Sequence, residues 1–274
     1  LPGACHSPAG RHAESKSLSD MPISEITDYN IRNAHPRDCR IDFEPEAHEY
    51  RVTCHDGSVI VCDSVTTVIG DLFEKFDADY WAARKATPDC PAEELKRRWA
   101  AKGEEARHLG TQLHDRIERH YLGQEPSPEA LADKAFRFFL DFDRIYSLKP
   151  YRSEWRIFSE KYRIAGTLDF LACADGGFVI YDWKRSSKIV DRNGALSLNS
   201  YGKHAAWPVE TVPDTVYYHY ALQVSLYRYI LETEYGIEPR EAFLGTFHPD
   251  YDRFHVVAMP YLRNEVAAIL NSRL

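Results

Sequence analysis

Long apolar runs are missing from this chain of 274 residues. None approaches the roughly 20 residues that span a bilayer, so no helical membrane crossing is expected. Cysteine is sparse and scattered, at Cys5, Cys39, Cys54, Cys62, Cys90 and Cys173, with no Cys-x-x-Cys pair. That spacing excludes a zinc knuckle or an iron–sulfur cluster and points to reduced, intracellular thiols. A surplus of base is missing too. With 34 Lys and Arg against 42 Asp and Glu, the net charge is -8, a poor match for a broad, metal-independent grip on nucleic acid. A local basic channel, or phosphate contacts made through metal ions, stays compatible with that total. No Walker A loop is present, so any ATP-driven motor such as a helicase would be a partner on another chain. There are no internal repeats and no low-complexity tracts. The first twenty residues lack both Met and an apolar core; they read as a trimmed or disordered lead-in reaching to about residue 35, not as a secretory signal.

What the chain has is an aromatic surplus, with 17 Tyr, 13 Phe and 5 Trp, and one stretch where charge interrupts apolar sequence. In GTLDFLACADGGFVIYDWKRS (166–186), the segments Ile164 to Cys173 and Phe178 to Trp183 read as strands, joined by an Ala-Asp-Gly-Gly turn. Counting outward from an Asp175-Gly176 turn sets Asp169 opposite Asp182, with Lys184 on the same side of the sheet. A Gly176-Gly177 turn would set Asp169 opposite Lys184 and keep all three on one face. Two carboxylates directly opposite one another repel, and a divalent cation between them reverses that sign. An Asp-x-Lys pair on an exposed edge would be worth under about 1 kcal/mol. Phe178, Val179, Ile180 and Tyr181 instead give a strand that is apolar on both faces, as in a covered central strand.

Around this hairpin the pattern is α/β. Residues 48–69 alternate like a hairpin turning at Asp56-Gly57. Ser64 or Thr66 then caps a helix running on through GDLFEKFDADYWAARKA. After the break at TPDCPAEE, a long helix runs from Leu95 to Gly123, with a bend expected near Gly103 or Gly110. Residues 127–148 read as one helix, with Ser127 as its N-cap, Pro128 in first position and Glu129 in its first turn. Strands follow at about 151–158, 162–173 and 177–184. A long irregular segment (185–214) precedes a helix ended by Gly236, two strands at about 241–248 and 253–259, and a short last helix. The expected fold is a mixed central β-sheet flanked by helices. Residues 36–125 would form an N-terminal hairpin and helical lobe, and residues 126–274 the core.

The order GTLD, then DWK thirteen residues after its Asp, then a helix bearing Gln223 and Tyr227, resembles the PD-(D/E)XK nuclease superfamily. The likeness is to its RecB-like exonuclease branch, which includes mitochondrial single-strand exonucleases and relatives in large DNA viruses. It covers roughly residues 105–260. It implies a restriction-endonuclease-like core and DNA cleavage from single-strand ends, in repair, replication or recombination. The rival functions are a structure-selective endonuclease with the same site and an inactive nucleic-acid-binding module.

Phosphodiester hydrolysis needs a water nucleophile and neutralisation of charge on the phosphate and leaving group, which Mg²⁺ or Mn²⁺ supplies through oxygen ligands. Asp169, Asp182 and the Trp183 carbonyl are the candidate ligands, and Lys184 would orient or deprotonate the water. The resemblance adds Glu154 on the preceding strand, with Glu160 as its competitor, and His114 in GTQLH as a helical ligand favouring Mn²⁺ tolerance. It also places Gln223 and Tyr227 on one helix face toward the scissile phosphate or the lysine. Arg185 and Lys188 in KRSSK are candidate phosphate contacts, as is the cluster Lys96, Arg97, Arg98 and Lys102. Trp81, Trp99, Tyr201 and Trp207 are candidates for stacking on bases, and the 185–214 segment for a substrate cover.

Overall fold

The computed structural model describes residues 28–274, so most of the expected lead-in lies outside the described residues. Residues 28–35 are not a loose continuation of it. Asp28 caps a helical turn, α1 (Tyr29–Arg32), and the turn docks on strand β4 (Lys149–Ser159). Tyr29 Oη lies 2.9 Å from Ser153 Oγ, and Asn33 donates to the Tyr151 carbonyl at 2.9 Å.

The expected mixed α/β sheet is present, with eight strands. β1 (Ile41–Glu44), β2 (Glu49–Thr53) and β3 (Val59–Ser64) form an antiparallel ribbon. β3 then pairs in parallel with β5 (Ile164–Ala174) through Asp63↔Ile164 and Ser64↔Ala165. The N-terminal hairpin is therefore continuous with the central sheet. β4 runs antiparallel along β5. Beyond β5 come β6 (Gly177–Lys184), β7 (Pro239–Thr246) and β8 (His255–Ala258).

Since β4 takes one edge of β5, β3 and β6 share the other. β3 occupies its start, and β6 its end, from Phe170↔Tyr181 to Ala174↔Gly177. The turn is Asp175-Gly176, with Gly176 left-handed at φ +74. Past Tyr181, β6 loses β5 and keeps only β7, which it pairs along nearly its whole length, here through Asp182↔Leu244 and Trp183↔Gly245. The sheet opens there, and Asp169 and Asp182 flank the opening one residue beyond the last β5–β6 pair.

Helices close both faces. α6 (Lys134–Tyr146) lines up Phe136, Phe139 and Phe142, all buried, on one side. Phe139 and Phe142 pack edge-on to Trp183 at 6.0 and 5.6 Å between ring centroids. Each such buried side chain contributes about 1.5–3 kcal/mol. α7 (Val216–Ile230) covers the face bearing Asp182. It passes into a π-helical turn, Leu231–Tyr235, that ends on left-handed Gly236 as the sequence predicts.

Two expected helices are each split by an aspartate. α2 (Val65–Gly70), capped by Ser64, ends at Asp71, and Asp77 starts α3 (Ala78–Lys85) by accepting from Tyr80 N. Likewise α5 (Pro128–Ala132) stops at Asp133, whose carboxylate caps α6 through Ala135 N. Asp competes with the helix for backbone donors and is favoured at an N-cap over an interior position. The long helix is unbroken as α4 (Ala92–Tyr121), and α8 (Arg263–Asn271) closes the described fold. The irregular 185–214 segment is pinned down: Ile189, Val190, Val209 and Val212 are buried, and Tyr251 Oη donates to the Val190 carbonyl at 2.8 Å.

Candidate metal centre

The opening of the sheet leaves backbone groups of β6 without β5 partners, and side chains take them. Asp169 Oδ2 accepts from Trp183 N at 2.8 Å, and the Trp183 carbonyl faces His114 Nε2 at 2.9 Å. His114 lies on α4, whose Leu113 and Ile117 are buried and fix the helix against the core. Its Nδ1 faces Glu154 Oε1 at 3.3 Å and Asp169 Oδ1 at 3.7 Å.

Glu154 stands between Ser153, paired with Phe170, and Trp155, paired with Leu168, and so lies opposite Asp169 across β4–β5. Its φ is +44, a left-handed conformation in mid-strand that costs a non-glycine residue on the order of 1–2 kcal/mol. Glu160, the alternative acid, sits at the β4–β5 turn in an ion pair with Arg40, away from this group. Of the two acids, Glu154 is therefore the one that stands beside His114 and Asp169.

Asp169, Asp182 and Lys184 do share one face, but Lys184 sits between the aspartates instead of beside a gap left for a cation. Its Nζ is 2.5 Å from Asp182 Oδ2 and 4.0 Å from Asp169 Oδ2, and 4.8 Å from the centroid of the Tyr220 ring. Asp182 is fully buried, and Gln223 Nε2 donates to its Oδ1 at 3.4 Å and to Tyr227 Oη at 3.2 Å. Tyr227 in turn lies on Gly166: a Cβ there would come 2.7 Å from the ring, so the first residue of GTLD has to be glycine.

Burial, and then the charge of Asp169, push the Asp182 carboxyl up to about 6, against the pull of Lys184. Burial raises Asp169 as well, more than His114 and Lys184 lower it. Burial disfavours the charged form of His114, but Asp169 and then Glu154 outweigh it and raise the imidazole to about 9. Lys184 follows the same pattern, with Asp182 and Asp169 overcoming burial to keep it an ammonium. Burial keeps the Tyr227 hydroxyl protonated.

The donor set fits a divalent cation. Ligand atoms of His114, Glu154 and Asp169 all lie within 4.8 Å of one another, a span that a cation bound at about 2.0–2.5 Å from each ligand can bridge. One imidazole with two carboxylates suits Mn²⁺ as well as Mg²⁺. Asp182, expected among the ligands, lies outside this trio, engaged with Lys184 and Gln223. Trp183 offers its carbonyl through the hydrogen bond to His114.

Arg185 and Lys188 line a cleft of about 710 Å³ beside the centre, as do Trp99 and Lys102. The other basic candidates are neutralised: Lys96 pairs with Asp79 and Glu93, and Arg97 and Arg98 with Glu94. Tyr201 and Trp207 are 87% and 68% exposed on the 185–214 segment, and Trp81 is on α3. Sequence reasoning missed Tyr220 and Arg107. Tyr220, Gln223 and Tyr227 fall at i, i+3 and i+7, a helical stripe that would have found the first.

Among the described residues, no helix is long and apolar enough to cross a membrane. No family model and no curated protein match the chain. A solved structure described as the crystal structure of SSO0001 aligns with 13% identity over 60% of this chain and 66% of that one, at a TM-score of 0.26, a likeness too slight to carry an argument.

Proposed function

We propose that the protein is a metal-dependent nuclease of the PD-(D/E)XK type, hydrolysing DNA phosphodiester bonds from single-strand ends. The observation that carries this reading is the joining, at one opening in the sheet, of a cation-sized His114–Glu154–Asp169 group with the buried Asp182–Lys184 pair. A bound Mg²⁺ or Mn²⁺ would supply charge neutralisation at the phosphate and a more acidic water. His114, Glu154 and Asp169 would hold the ion. Lys184, kept protonated by its aspartates, offers a fixed positive charge and hydrogen-bond donors to the phosphate oxygens and the attacking water. Gln223 holds Asp182 in place, and Tyr227 holds Gln223. Arg185 and Lys188 add charge for the neighbouring phosphates.

The test is incubation of 5′- and 3′-labelled single strands with Mg²⁺, Mn²⁺ or EDTA. Cleavage is expected only with a cation and is to be abolished in Lys184→Ala. Cutting in excess EDTA, or full activity in that variant, overturns the reading. The endonuclease alternative has one observation in its favour: a second cleft of about 370 Å³, lined by Glu118, Arg152 and Arg156, meets Glu154 from another side, so a strand could run past the centre. Cleavage of a circular single strand would establish that alternative and remove the requirement for ends.

A further inference from the structure

Helix α4 reaches well beyond the metal centre, and one of its faces is unlike the others. From His114 back toward the N-terminus, Gly110, Arg107, Gly103 and Trp99 follow at steps of four, three, four and four, which keeps them on one stripe. Each glycine costs a helix interior roughly 0.5–1 kcal/mol relative to alanine. A Cβ at Gly103 or Gly110 would meet nothing within 4 Å, so packing inside the protein does not call for either. Gly103 leaves bare helix backbone on the floor of the 710 Å³ cleft, between the cations Lys102 and Arg107 on the helix and Arg185 and Lys188 on the opposite wall, and Gly110 continues the stripe from there toward His114. The cleft's one carboxylate, Asp250, lies by His248. None of the four cations has an ion-pair partner among the described residues, and the Arg185 Nε is buried without a hydrogen bond. At the far end Trp99 is half-buried, with Phe76, 64% exposed, edge-on to it at 5.4 Å.

We infer that this stripe is a rail for single-stranded nucleic acid, running from the metal centre to Trp99. Phosphates lie against the four cations, the glycines let the strand's backbone approach the helix, and a base stacks on Trp99 at the far end. The fifteen steps of helix rise from Trp99 to His114 make the rail about 22 Å long, room for about four nucleotides, the lower end of single-strand site sizes. The inference rests on the nuclease reading and adds which part of the substrate is held, and by what. Its chemistry is that of a flexible polyanion with exposed bases: a duplex hides its bases from Trp99, and an acidic peptide has none.

The experiment measures binding of labelled oligo(dT) and oligo(U), of two, four and eight nucleotides, to the full chain in EDTA across a salt series. Affinity should rise up to about four nucleotides and then level. Trp99→Ala should weaken the longer oligomers about tenfold with little change in salt dependence, and Trp99→Tyr should retain most of the affinity. Lys102→Ala with Arg107→Ala should reduce the slope of log affinity against log salt by about 1.4, that is about 0.7 per lost phosphate contact. Arg97→Ala, paired with Glu94 on another face of α4, should change neither. Equal losses in Arg97→Ala, or none in the rail variants, overturn the rail. A protein that cuts DNA while the rail variants bind normally loses the rail and keeps the nuclease reading. One that binds through the rail but never cuts keeps the rail and loses that reading.

Discussion

Replacing Asp182 with Asn should make the cation-free protein more stable and remove the proposed nuclease activity. Asp182 is buried beside Asp169, and its carboxyl titrates at about 6 instead of its ordinary 3.8. At about 1.4 kcal/mol per tenfold change in proton affinity, holding it ionised above pH 6 costs about 3 kcal/mol. That figure already includes the attraction of Lys184, so it is the penalty left after the ion pair has formed. The asparagine would keep the shape and the Gln223 hydrogen bond without the charge, and Lys184 would still have Asp169 nearby. For a chain of this size, about 3 kcal/mol raises the melting temperature by roughly 5–10 °C. The assay is thermal unfolding in EDTA at pH 8, followed by circular dichroism. Asp182→Ala is the contrast: it leaves Lys184 and Gln223 facing a cavity and should gain less or lose. A melting temperature in Asp182→Asn equal to or below that of the wild type would refute the claim that repulsion and burial dominate at this centre.

Other perturbations follow from the same geometry. Glu154→Gly should relieve the left-handed backbone at φ +44 and leave stability equal or higher while abolishing Mn²⁺ binding, read by calorimetry; Glu154→Gln should lose the metal without the relief. Gly166→Ala would push a methyl group to 2.7 Å from the Tyr227 ring. It should cost about 1–3 kcal/mol in denaturant melts and lower kcat by displacing Gln223. The pH dependence has a fixed sign. Asp169, Asp182 and His114 are all raised, the last two to about 6 and about 9, so the folded state binds more protons than the unfolded one. Cation-free stability should fall as pH rises from about 4 to 9, and the gain in melting temperature from Mn²⁺ should grow over that interval; a cation effect independent of pH would contradict the His114 assignment.

The hairpin was legible because its register depends only on the turn. Asp175-Gly176 is read directly from the residues, and it fixes which residues face which. The stop at Gly236, after α7 and its π-helical turn, and the Ser64 cap were legible for the same reason, being set by local chemistry. The breaks at Asp77 and Asp133 carried the same kind of signal but were hidden inside windows rich in helix formers. Two other features depend on tertiary context and left no local trace. The left-handed Glu154 lies within the β4–β5 pairing and next to Ser153, on which α1 docks, contacts made by segments distant in sequence. The position of Lys184 between the aspartates follows from charge balance in a closed space, which the strand pattern does not encode.

That charge balance would also let an acidic chain take the polyanionic substrate proposed above. Counting Glu154, Asp169 and Asp182 against His114 and Lys184, three acidic groups face two basic ones in the centre. Burial first, and then that uneven closeness, raises the carboxyls of Asp169 and Asp182. A divalent ion among His114, Glu154 and Asp169 would replace the proton on His114 and supply the missing positive charge. It would also weaken the hold of Asp169 on Lys184, leaving the ammonium with Asp182 and turned toward the cleft where Arg185 begins the line of cations. Local positive charge then lies where phosphate would pass, while the excess of acid is spread over the rest of the chain. On this argument the net charge of -8 weighs against indiscriminate binding only, because a screened interaction of Debye length about 8 Å lets a phosphate in the cleft respond mainly to the groups lining it.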